Sequence, residues 1–172
     1  MATTTAAAAE PRPKAKLTPD NYDRFLSAAA IALLAAVAAA IWRGRAEWGE
    51  APDMVWSHIA TIVLALVLTP VMLLRRRGDR LHRRLGWVWA TAMAATAAMT
   101  FGIRGLNQGS LSLIHILSAW TLLQVPLIVW AARTHNVARH RGAVRGMVTG
   151  VLVIAGIFTF PFDRLMGHWL FG

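Results

Sequence analysis

The sequence predicts an all-α protein: a polytopic integral membrane bundle of five transmembrane helices. Three observations predict it. Of the 172 residues 56% are hydrophobic and the mean hydropathy is +0.48, more apolar surface than a soluble domain of this size can bury. Five apolar runs, at 25–42, 56–74, 84–103, 111–132 and 143–162, each approach the ~20 residues that a helix needs to cross a bilayer. Basic residues collect between the runs, and Trp42, Trp56, Trp87, Trp89, Trp130 and Trp169 stand near run ends, as interfacial aromatics do.

Each element follows in order. Residues 1–24 are rich in Ala, Thr, Pro, Lys and Arg without apolar periodicity. They read as a flexible basic tail preceding a transmembrane domain at 25–172. The tail has no twin-arginine pair, and the first run is expected to be a retained anchor. That run, AAAIALLAAVAAA at its heart, suits packing and carries no chemistry. The second run holds His58 and Pro70, and the loop after it holds Arg75, Arg76, Arg77, Arg80, Arg83 and Arg84. The third begins with His82 and Gly86, the fourth carries His115 and Pro126, and the fifth follows Arg133, Arg139, His140, Arg141, Arg145 and Gly146. Of the 18 Lys and Arg, 14 fall on the tail side of this layout. The positive-inside rule therefore puts the N-terminus in the cytoplasm and the C-terminus outside.

Composition also excludes. Cysteine is absent, which removes disulfides, thiolate metal sites, iron–sulfur clusters and covalent c-type haem. The net charge of +10 raises the question of nucleic acid. The basic residues adjoin apolar helices and lack stacking aromatics, so they read as topology signals and contacts to membrane lipids, with no nucleic acid implied. No Ser/His/Asp set, phosphate loop or paired carboxylate appears, and Asp79 and Asp163 are lone loop carboxylates.

Four histidines form a repeated register. His58 and His82 lie 24 residues apart, His115 and His140 lie 25 apart, and each pair brackets an apolar stretch, a late proline and an Arg-rich loop. The second and third runs thus repeat as the fourth and fifth, and both hairpins begin on the same side. Parallel repeats pack about an axis along the membrane normal. That axis sets His58 opposite His115 and His82 opposite His140, on two levels on the order of 20–25 Å apart. Ionisable groups at such depth are a functional hypothesis by default, and two facing imidazoles suit the axial positions of a b-type haem. Two haems per chain are expected. Arg80, Arg83 and Arg141 are candidates for the inner propionates and Arg104 for the outer ones; Gly86, Gly142 and Gly146 leave room for a flat ring. His135 and His168 have no counterparts in the repeat and receive no ligand role. The plainer reading is that all four are interfacial histidines bonded to carbonyls or water, beside arginines that hold lipid phosphates.

The stretches RLHRRLGWVW, GSLSLIHILSAWTLL, ARTHNVARHRGAVRGMVTG and VIAGIFTFPFDRLMG resemble a family of prokaryotic predicted membrane proteins with a domain of unknown function. That resemblance covers about residues 56–166 and implies a small helical inner-membrane protein without an assigned activity. Where its members often read Pro-Gly-Arg, this chain reads Pro161-Phe162-Asp163-Arg164. The layout is also similar to transmembrane dihaem cytochromes b, whose four histidines pair second helix with fourth and third with fifth. That similarity implies an electron carrier or small oxidoreductase subunit rather than a stand-alone enzyme, with a quinol, a redox protein or a larger membrane complex as partner. The alternatives are a cofactor-free accessory or scaffold protein and, more weakly, a small-molecule or lipid carrier.

Overall fold

The computed structural model describes residues 18–103, 113–161 and 164–172. Among them all regular structure is helical: α1 (Asn21–Arg43), a 3₁₀ segment (Gly44–Glu50), α2 (Asp53–Leu74), α3 (Arg80–Thr100), α4 (Leu113–Arg133), α5 (Val137–Met147), a π-wound segment (Val148–Ile154), α6 (Ala155–Ile157) and α7 (Leu165–Phe171).

α1 begins four residues before its apolar run because two aspartates cap it. Asp20 Oδ1 accepts from the Asp23 N–H, and Asp23 Oδ2 accepts from the Asp20 N–H, both at 3.1 Å. This reciprocal box satisfies two amides that the helix itself cannot. Its buried residues, Asp23, Leu26, Ala30, Leu33, Val37 and Ala40, recur every three or four positions and form one inward stripe.

The other helices pack in chain order. α2 and α3 form an antiparallel hairpin: Trp89 Nε1 donates to Thr69 Oγ1 at 3.0 Å, and Thr96 Oγ1 donates to Thr61 Oγ1 at 2.7 Å. α3 packs on α4, α4 on α5, and the π-wound segment returns to α1. There the chains run parallel, with Arg145 beside Asp23 at one end and Gly156 against Leu33 further along. The five long elements thus close a ring around Leu26, Leu66, Met93, Ile128, Met147 and Leu152. Large apolar side chains also point outward, among them Leu123 at 69% and Ile116 at 67% exposure, a surface that suits lipid rather than water.

Three stretches are long and apolar enough to cross a membrane: Asn21–Glu50, Asp53–Leu74 and Ile114–Arg133. α3 and α5 differ because arginines fill their first turns. Once Arg80, Arg83 and Arg84 are set aside, α3 retains the 16 residues from Leu85 to Thr100. At 1.5 Å per residue that is ~24 Å of helix, against a hydrocarbon core of ~30 Å.

Two tryptophans are not interfacial. Trp89 is 5% exposed and bonded to Thr69, and Trp169 is 4% exposed. Trp169 lies on α7, which folds back over α1 and the 3₁₀ segment. Its indole N–H donates to Glu47 Oε2 at 3.1 Å, its ring lies 5.8 Å from that of Trp56, and its face covers Gly44. Any Cβ on Gly44 would meet the indole. At Gly167 the approach is closer still, since a Cβ there would sit 1.6 Å from the Phe160 carbonyl oxygen. Backbone cannot yield as a side-chain tip does. Gly167→Ala is expected to lift α7 off the bundle at a cost of about 1–3 kcal/mol. Tryptophan emission should move to the red and the melting temperature should fall. An unchanged emission maximum would mean that α7 is not docked in this way.

Candidate functional site

The two helices that follow arginine-rich loops start in the same manner. α3 opens at Asp79, whose Oδ1 accepts from the His82 N–H at 2.6 Å. α5 opens at Asn136, whose Oδ1 accepts from the Arg139 N–H at 3.1 Å. Short polar caps of this kind fix where a helix begins. They place His82 in the first turn of α3 and His140 in the first turn of α5, with ring centroids 6.4 Å apart and planes at 76°.

Each ring has a defined environment. His140 Nδ1 lies 3.1 Å from the Ile128 carbonyl of α4. A carbonyl only accepts, so Nδ1 is the donor in this contact and Nε2 is the ring nitrogen left for another partner. Metal-binding histidines are held by carbonyls in this way, which fixes the ring and raises its basicity. His82 Nδ1 is buried without a hydrogen-bond partner, and such a group calls for an explanation.

Both rings line one cavity of about 380 Å³ between α2, α3, α4 and α5. Its wall is largely apolar, with Met72, Leu73, Trp89, Ile128 and Val148, while Asp23, Thr69, Arg77, Arg83, Arg133, Arg141, Arg145 and His135 join the two rings in the polar part. Small-molecule sites occupy roughly 300–1,000 Å³ and share this greasy wall with a few placed polar groups.

Part of that polar wall is an ion cluster. Asp23, fully buried, accepts from Arg77 at 2.6 Å, from Arg141 at 2.9 Å and from Arg145 at 2.9 Å. Asp20 accepts from Arg141 at 2.8 Å and also from Arg145. The cluster joins the start of α1, the α2–α3 loop and α5. Its members Asp20, Asp23, Arg77 and Arg145 are not among the site residues expected from sequence. The readable signal was Asp-x-x-Asp at the head of an apolar run, which marks a helix start; nothing local names its arginine partners.

The expected residues divide accordingly. His82, His140, Gly86, Arg83 and Arg141 line the cavity. Arg141 is held by Asp20 and Asp23. Arg80 is exposed outside the lining, as are Gly142 and Gly146, which have open space around them. Arg104 lies outside the described residues. His58 lines a separate cavity of about 130 Å³ with Thr96, Thr100, Ser118 and Thr121. His115 is buried with its ring 5.7 Å from Phe101. Among the described residues no three of His, Asp and Glu gather as one metal group, so the ligand set on offer is the pair of imidazoles.

Asp79 is also held by Arg75, at 2.7 Å. The Arg75 guanidinium and the His82 N–H draw its carboxyl from the ordinary 3.8 down to about 2, and Arg145 and the Asp23 amide lower Asp20 further. A depressed carboxylate stabilises the fold above its unfolded value and loses that contribution as pH falls through the folded value. The melting temperature in detergent is therefore expected to drop between pH 4 and pH 2. Asp79→Asn should flatten part of that fall, whereas a profile identical to the parent would remove Asp79 from it.

Compared with family models, curated proteins and solved structures, the chain matches none. The resemblance of its loop and helix-start motifs to predicted membrane proteins rests on those motifs alone.

Proposed function

We propose that this is a multi-pass protein of the bacterial inner membrane that holds b-type haem between His82 and His140 and carries electrons. One observation carries the reading: two imidazoles from different helices stand 6.4 Å apart at the same apolar cavity. The two rings would hold the group between them, and their spacing leaves room for a metal–nitrogen bond of about 2 Å from each. The Ile128 carbonyl turns His140 and leaves its Nε2 for a further partner, Asp79 fixes the turn that presents His82, and the apolar part of the wall suits the face of a porphyrin. A haem so bound supplies a one-electron centre.

Topology belongs to the same proposal. All five long elements cross the bilayer, the arginines of α3 and α5 snorkel to the cytoplasmic headgroups, and the C-terminus is periplasmic. The parallel repeat is supported by Pro70 in α2 and Pro126 in α4, and by the Asx caps of α3 and α5. A quinol or a redox protein is the partner. The second haem expected at His58 and His115 rests on the sequence register alone, since His115 packs on Phe101 and His58 lines its own small cavity. The test is the reduced-minus-oxidised spectrum of protein expressed with ample haem. A b-type signal of about one haem per chain is expected from a single bis-imidazole site. Folded, colourless protein would leave the cofactor-free accessory role.

A further inference from the structure

Resting on the haem reading, we infer that Arg83, Arg133 and His135 form a cationic, hydrogen-bonding mouth that grips the carboxylate end of the cavity's ligand. Five arginines line the cavity. Arg77, Arg141 and Arg145 are taken up by Asp20 and Asp23. Arg83 and Arg133 line it without a carboxylate partner among the described residues; Arg83 donates to the Gly78 carbonyl at 2.7 Å. A planar apolar body with anionic ends fits such a cavity, its body on the greasy wall and its carboxylates at the two arginines.

His135 adds an independent observation. It closes α4 in a left-handed conformation, φ 57°. The Asn136 N–H reaches the Ala131 carbonyl at 2.9 Å, and the His135 N–H reaches that of Ala132 at 3.2 Å. These two bonds define a Schellman ending, whose left-handed position glycine fills without steric cost. Here a histidine fills it, an exposed residue that is part of the cavity lining together with Arg133 and Val137. A residue held in a strained conformation at the rim of a cavity points to a use outside the fold.

Purified protein in neutral detergent, titrated with haemin and with haemin dimethyl ester and followed by the Soret shift, tests this. The parent should bind the diacid about ten-fold or more tightly than the diester, the scale of a charge-assisted contact. Arg83→Gln/Arg133→Gln should bring the two affinities together by weakening the diacid alone. His135→Gly should raise the melting temperature and still weaken the diacid, a combination that a purely structural residue would not give. Equal binding of diacid and diester by the parent overturns the mouth and leaves the haem reading standing. A His135→Gly protein that binds the diacid as the parent does removes His135 from it. No Soret shift with either compound overturns both the haem reading and this inference.

Discussion

His82→Ala and His140→Ala are each expected to abolish the b-type spectrum. The two rings approach to 6.4 Å from separate helices, and neither helix offers the cavity another imidazole within its first turns. A haem held by both rings would lose one of the two residues that hold it, so the double variant should resemble either single one. Gel filtration and circular dichroism should stay unchanged, because neither histidine belongs to the buried core. His58→Ala and His115→Ala, whose rings lie elsewhere, should leave the signal intact. If those two instead remove half of the absorbance, a second haem sits where the sequence register expects it. If all four variants keep the full spectrum, the histidines are interfacial residues and the haem reading is lost.

What the sequence disclosed depended on how local its signals were. The all-helical class follows from apolar run length, which each run carries within itself. The proximity of His82 and His140 was legible for a related reason: each follows an arginine-rich loop and falls in the first turn of its helix, and two helices starting from one face bring first turns to one depth. The length of the apolar part of α3 was also local, yet its arginines were read as loop residues although the helix begins at Arg80. Asp79 caps that start, and a cap overrides apolar counting. Contacts between distant segments were not legible. Arg141 meets Asp23 across 118 residues and Trp169 meets Glu47 across 122, and no local pattern joins either pair. Trp169, expected at the interface, is a buried plug for the same reason: its pocket is made by Gly44 and Ala40, remote in the chain.

Asp23→Asn is expected to be the most damaging single change to stability. Asp23 is fully buried and receives three guanidiniums, whose own side chains are 8%, 14% and 21% exposed for Arg77, Arg141 and Arg145. With its carboxylate neutralised, Arg141 and Arg145 keep the ion pair to Asp20, which is 47% exposed, and Arg77 loses the carboxylate of Asp23. Removing one partner of a buried ion pair costs about 3–5 kcal/mol, because the charge left behind has lost both water and counter-ion. For a chain of this size that corresponds to a fall in melting temperature of roughly 10 °C. Arg77→Gln should cost less. It leaves Asp23 bonded to Arg141 and Arg145, and the Thr18 carbonyl that Arg77 also binds can turn to water. The order of the two variants distinguishes a cluster organised around Asp23 from a set of independent pairs. Equal losses, each below about 1 kcal/mol, would be the behaviour of solvent-exposed pairs and would show that the three helix ends are joined by apolar packing instead. A large loss at Asp23 should also carry over to the cavity, since Arg141 follows His140 directly and its hold on Asp23 sets the first turn of α5. In that event the Asp23→Asn protein, still folded at low temperature, should bind haemin less tightly than the parent, whereas Arg77→Gln should bind it as the parent does.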